Sequence, residues 1–68
     1  MTLGTAEIVS GGKAVTAHHQ ASKNSVKVGK WEAGAEVTVL AYADGWYEVE
    51  LDGVRGWVTE DQVRLIGN

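Results

Sequence analysis

The sequence predicts an all-β domain that folds as one small, strongly bent barrel of five or six strands with a single 3₁₀ turn. Its 68 residues allow one small domain. Short β-type runs alternate with turn signals at close spacing, and no segment has the pattern of a helix of about ten residues or more. Because cysteine is absent, aromatic side chains must supply much of the buried area. We treat residues 1–68 as a single domain.

The clearest element is the hairpin formed by Trp46–Leu51 and Val54–Val58, which Asp52-Gly53 joins. An Asp-Gly pair between two such runs favours a type I′ turn, because both central residues of that turn have positive φ. The hairpin carries two of the three tryptophans and one of the two tyrosines. We therefore expect the other strands to pack on these aromatic residues, so that the hairpin forms the core.

The remaining candidate strands are Thr5–Val9, Lys13–Ala17, Val26–Trp31, Ala35–Tyr42 and Val63–Ile66. Lys13–Ala17 is a weakly alternating run that could pair with the first strand in a poorly specified register, and a polar loop, His18–Ser25, follows it. Gly29 interrupts its strand, which indicates a β-bulge. Thr59–Gln62 has the Thr-x-x-Gln form of a capping box, with room for one helical turn.

The net charge of −3 gives no strong attraction to nucleic acid or to an anionic membrane. Residues 1–30 have a balance of +3 and residues 31–68 a balance of −6. Either the two halves attract each other across the barrel, or the charges keep the domain soluble. A binder of single-stranded nucleic acid needs aromatic residues among its basic ones, and the lysines before Trp31 have none among them. We expect neither a nucleic-acid nor a membrane partner.

No apolar run reaches half the length of a membrane span, and no signal-peptide core is present. This pattern is typical of a small cytoplasmic or virion protein, or of a domain from a longer secreted protein.

Four segments resemble the bacterial SH3-like (SH3b) domain family. They are Ala33–Leu40, the Gly-Trp-Tyr-x-Val motif in Asp44–Val49, the Gly-Trp-Val motif in Asp52–Val58, and Val63–Leu65. The resemblance covers about residues 26–66 and implies an SH3-like barrel of five or six strands. Members of the family mostly act as targeting or binding modules, often attached to cell-wall enzymes, and recognise peptidoglycan or peptides.

Trp46 falls where the groove tryptophan of the eukaryotic SH3 family lies. The other aromatic walls of that groove are replaced, with His18 near the first tyrosine region, Thr59 near the proline and Gln62 near the last tyrosine. Because polyproline recognition depends on such walls, we do not expect a PxxP ligand. Trp46 is either a rigid ligand platform or a core or rim residue that closes the barrel. Trp31 and Trp57 are interpreted as structural.

Two groups suggest chemistry. His18 and His19 are possible metal ligands, but adjacent residues in an extended chain point to opposite faces, and no cysteine or nearby carboxylate completes a tetrahedral set. Glu48 and Glu50 lie at the spacing of paired carboxylates, but we expect them to face solvent opposite Arg55. No catalytic motif is present. We therefore expect no metal, no cofactor and no enzyme activity.

The leading hypothesis is a non-catalytic binding module whose ligand is a peptide, a protein or a cell-wall component such as peptidoglycan. Its predicted site residues are Trp46, His18, His19 and Gln62, between the His18–Ser25 loop and the Thr59–Gln62 turn. The alternative is a structural or assembly protein, such as a phage virion component or a self-associating small barrel. The Met1 start, the absent signal-peptide core and the sequence Val15–His18, where many family members carry Leu-Asn-Val-Arg, favour this alternative.

Overall fold

In the computed structural model, residues 4–67 are described, and they form a seven-stranded antiparallel sheet with one 3₁₀ turn. The elements are β1 (Gly4–Ile8), β2 (Val15–His18), β3 (Lys27–Trp31), β4 (Glu36–Ala43), β5 (Trp46–Leu51), β6 (Val54–Thr59), η1 (Glu60–Gln62) and β7 (Val63–Gly67). The all-β prediction is confirmed, but five or six strands is wrong. The sheet order is β3-β2-β6-β5-β4-β1-β7, so β3 and β7 are edges and the sheet is not closed. None of the helices in this part of the chain could cross a membrane.

The pairing of the first two strands differs from the prediction. β1 pairs with β4 and β7, whereas β2 pairs with β3 and β6. The predicted pairing of Lys13–Ala17 with the first run is therefore wrong. Neither run alternates strongly enough to specify a register by itself. β1 pairs with two strands that are distant in the sequence, and β2 pairs with the next strand, β3, and with the distant strand β6. Both runs therefore join the sheet, which has seven strands.

The two Asp-Gly turns build the centre of the sheet as predicted. Asp52 and Gly53 have φ values of 53° and 83°, and Asp44 and Gly45 have φ values of 51° and 85°. Positive φ at both central residues matches the twist of the flanking strands. The predicted type I′ turn at Asp52-Gly53 is confirmed, and Asp44-Gly45 has the same signs of φ. Trp46 follows the second of these turns directly and pairs with Ala43.

The bulge predicted at Gly29 is confirmed. Ala17 pairs with Gly29 but His18 pairs with Lys27, so Val28 has no direct partner on β2. A bulge of this kind bends its strand and increases the local twist. It lies at the end of β2, where His18 leaves the regular ladder.

The core is formed mainly by β-branched residues rather than by the aromatic residues of the hairpin. Its buried members are Ala6, Ile8, Val15, Ala17, Trp31, Val37, Val39, Val49, Val58 and Val63. From the hairpin, Val49 and Val58 point inward, so their neighbours Trp46 and Trp57 lie half-buried on the opposite face. The prediction that the hairpin aromatics form the core is therefore wrong for Trp46 and Trp57, because strand alternation turns Val49 and Val58 inward, whereas Tyr47 packs against the core.

Gly56 allows the closest packing between strands in the core. A Cβ atom at this position would lie 2.7 Å from Ala17 Cβ and 2.8 Å from Val28 Cγ2. We expect Gly56→Ala to lower the free energy of unfolding by about 1–3 kcal/mol through overpacking, measured by urea denaturation. Gly29→Ala is the matched control, since its Cβ would meet Val54 Cγ1 at an ordinary 3.9 Å. Equal stability of the two variants would contradict the close approach at Gly56.

Candidate functional site

A groove of about 360 Å³ lies on the face of the sheet opposite the core. It is lined by Ala14, Thr16, His18, Lys23, Trp46, Thr59, Asp61 and Gln62. β2 and the loop after it form one wall, and η1 with the end of β6 forms the other. Trp46 is on β5, on the far side of β6 from β2, and reaches the groove from there. Trp46 pairs with Thr59 across the β5–β6 ladder, which places both side chains on this face.

Trp46 and His18 form the aromatic part of the groove. Their ring centroids are 5.6 Å apart and their planes meet at 89°, which is an edge-to-face arrangement. His18 Nδ1 lies 3.3 Å from the carbonyl oxygen of Ser25, so the imidazole is also held from the loop side. The prediction that the loop begins at His18 is wrong, because His18 is the last residue of β2. Its strand position gives the ring a fixed direction.

The polar loop after β2 is held by its own hydrogen bonds. The N–H of His19 donates to the carbonyl oxygen of Val26 at 2.7 Å. Ser25 Oγ accepts from the N–H of Gln20 at 3.1 Å and donates to the carbonyl oxygen of Ser22 at 2.9 Å. These bonds order the loop without an apolar core of its own, and Lys23 extends from it to the groove.

The opposite wall is fixed by the side chain of Gln62. Its Oε1 accepts hydrogen bonds from the N–H of Thr59 at 3.3 Å and from Thr59 Oγ1 at 2.8 Å. The reach of Gln62 back to the residue before the turn is the return half of the predicted capping box. The amide oxygen of Gln62 is engaged in these two hydrogen bonds. Its amide NH₂ is the group that can donate to a ligand.

A second contact fixes η1 to the β4–β5 turn. Tyr42 donates its hydroxyl to Glu60 Oε1 at 3.1 Å, and the N–H of Glu60 donates to the carbonyl oxygen of Gly45 at 2.9 Å. The Tyr42 ring also packs on Tyr47, with centroids 4.9 Å apart. These contacts join the turn that carries Trp46 to the turn that forms the far wall. The hydrogen bond to Glu60, followed by desolvation, raises the pKa of Tyr42 above 10.0.

This contact predicts a distinct tyrosine titration. A raised folded-state pKa favours the neutral phenol, so the stabilisation from Tyr42 is present below its unfolded pKa and is lost as pH rises through the folded value. We expect Tyr42→Phe to remove the tyrosinate absorbance change whose midpoint lies above the ordinary tyrosine pKa in an alkaline titration. Tyr47→Phe is the matched control and should retain that change. Loss of this absorbance change in Tyr47→Phe would show that it does not come from Tyr42 and would contradict the prediction.

The structure brings three of the four predicted site residues together. His18, Trp46 and Gln62 line the groove, whereas His19 is exposed and does not. Adjacent residues at the end of a strand point to opposite faces, so the His18-His19 pair separates. Within residues 4–67, no three histidine, cysteine, aspartate or glutamate side chains are grouped to hold a metal ion.

Sequence reasoning missed several groove residues. Thr16, Lys23 and Asp61 are lining residues that it did not select. Thr16 lies two positions before His18 on the same strand, so strand periodicity alone could have found it. Lys23 and Asp61 lie outside strands, and only the folded loop and turn bring them to the groove.

The family of the chain follows from one comparison. A family model described as bacterial SH3 domain matches residues 13–63, which is most of the chain. The match includes β2, which lies before the residues that carry the motifs of the family. A search of curated proteins found no match. Domains of this family are generally non-catalytic binding modules. The order of the strands, the two tryptophan motifs and this match lead to one conclusion: the chain belongs to the bacterial SH3 domain family.

Proposed function

We propose that the chain is a non-catalytic binding module that takes a peptide or a peptidoglycan-type ligand in the groove beside Trp46. The observation that carries the proposal is the position of Trp46, half-buried in a concave surface on the face opposite the core. An indole held there offers a rigid apolar platform at low entropic cost. Membership of a family of binding modules supports the same function.

The other lining groups suit an extended peptide backbone. The Thr16 and Thr59 hydroxyls and the amide of Gln62 supply donors and acceptors along both walls. The volume of about 360 Å³ lies at the small end of the range for ligand pockets. A short segment of small residues fits this groove better than a long side chain or a polyproline helix, which needs more aromatic walls.

The proposal is tested by titrating the protein with soluble muropeptides and with short cross-bridge peptides while following tryptophan fluorescence. Cosedimentation with purified peptidoglycan sacculi gives an independent measurement. We expect a saturable change in the emission of Trp46 and retention on sacculi. If neither the peptides nor the sacculi bind saturably, the groove is not a cell-wall or peptide site.

One observation favours assembly as a second function. The edge strand β7 exposes Leu65 and Ile66, with 58% and 48% of their surfaces accessible. An unpaired edge with apolar side chains is a template for pairing with another chain. A molar mass that rises with protein concentration in light scattering would support self-association. A monomeric mass at every concentration would contradict it.

A further inference from the structure

The groove carries two charges of opposite sign. Lys23 and Asp61 are its only lysine and its only carboxylate among the lining residues, and both are exposed. They do not neutralise each other, because the single ion pair within residues 4–67 joins Glu7 to Arg64. A ligand in the groove therefore meets one ammonium and one carboxylate that are not paired with each other.

The strand register places these charges toward opposite ends of the groove. β2 and β6 are antiparallel, with His18 opposite Trp57. Asp61 lies in η1, which follows the C-terminal end of β6, and because the two strands are antiparallel this end of β6 points toward the N-terminal end of β2. Lys23 extends from the loop that follows the C-terminal end of the same strand. The groove is therefore negative at the end beside Asp61 and positive at the end beside Lys23. The Trp46–His18 pair lines the same groove.

We propose that the groove selects a short bipolar peptide, with a free amino group at Asp61, a carboxylate at Lys23, and a small neutral residue over Trp46. This inference rests on the proposed function and adds the class of ligand and its direction. Charges at both ends of the groove attract one orientation of such a peptide and repel the reverse one, so they set specificity more than total affinity. Because both side chains are exposed, each interaction is modest and is screened by salt.

The test uses four forms of one peptide, tetra-alanine: free at both ends, N-acetylated, C-amidated, and capped at both ends. Dissociation constants are measured from tryptophan fluorescence at low ionic strength. We expect each cap to weaken binding by about two- to five-fold, with a smaller effect in high salt. Lys23→Glu should reverse the effect of amidation alone, and Asp61→Lys the effect of acetylation alone.

The matched controls are Arg55→Glu and Glu32→Lys, which change the same charges at exposed positions outside the groove. They should leave the order of the four peptides unchanged. Equal binding of the four forms, reversal by the control variants, or binding of muropeptides without any binding of tetra-alanine would overturn the bipolar ligand while leaving the groove as a binding site. Failure of every ligand, including sacculi, would overturn the proposed function as well.

Discussion

Trp31→Ala lowers the free energy of unfolding by about 3–5 kcal/mol, the usual loss for truncation of a buried tryptophan. Trp31 is only 6% exposed and pairs with Val15 across β2 and β3. A domain of this length has roughly 3–10 kcal/mol of total stability, so this loss is a large fraction of it. Urea denaturation followed by circular dichroism measures the loss.

Trp57→Ala is the matched control, because it removes the same side chain from a half-buried position on the opposite face. Its neighbours across the sheet are His18 and Glu48 rather than the buried valines. We expect a clearly smaller loss of stability than for Trp31→Ala. Equal losses would show that the core extends to the outer face, contrary to the described packing.

Trp46→Ala weakens ligand binding by about 30-fold or more, while the protein remains folded. Central aromatic residues of a binding site commonly contribute about 2 kcal/mol or more on truncation, which corresponds to this loss of affinity. Trp46 lines the groove and is absent from the buried core, so its removal affects the ligand more than the fold. Binding is measured by calorimetry with muropeptides, which does not depend on the tryptophan signal.

Val54→Ala serves as the control for an exposed apolar truncation. Val54 is 42% exposed and pairs with Leu51 at the opposite end of the hairpin, outside the groove. We expect its affinity to equal that of the unchanged protein. Unaltered binding by folded Trp46→Ala would show that the ligand site lies elsewhere.

Local chemistry explains which parts of the fold could be predicted from the sequence. Asp52-Gly53 predicts its turn because these two residues favour the positive φ values that the turn needs. The bulge at Gly29 is predicted because this glycine interrupts the alternation of its strand. Thr59 and Gln62 are three residues apart, so the turn between them is also locally encoded. These predictions place the hairpin, and with it Trp46, correctly along the chain.

Long-range pairing explains what could not be predicted. The partners of β1 and β2 depend on residues far away in the sequence, and two weak runs do not specify them. The same pairing turns Trp46 and Trp57 outward, since Val49 and Val58 take the inner positions. Lys23 and Asp61 line the same groove only after β2 lies beside β6. Trp46 and Gln62 reach the groove on elements that the sequence predicts locally, whereas His18 reaches it on β2, whose pairing the sequence does not specify.

The central claim is that the groove beside Trp46 binds a peptide or peptidoglycan-type ligand. Two-dimensional amide NMR during titration with muropeptides and cross-bridge peptides tests it most directly, because the three tryptophan indole signals report on three different places. We predict that the Trp46 indole and the amides of residues 18–25 shift together and saturate, while the Trp31 indole stays in place. Signals that do not move, or that broaden with protein concentration alone, would contradict ligand binding in this groove and favour assembly.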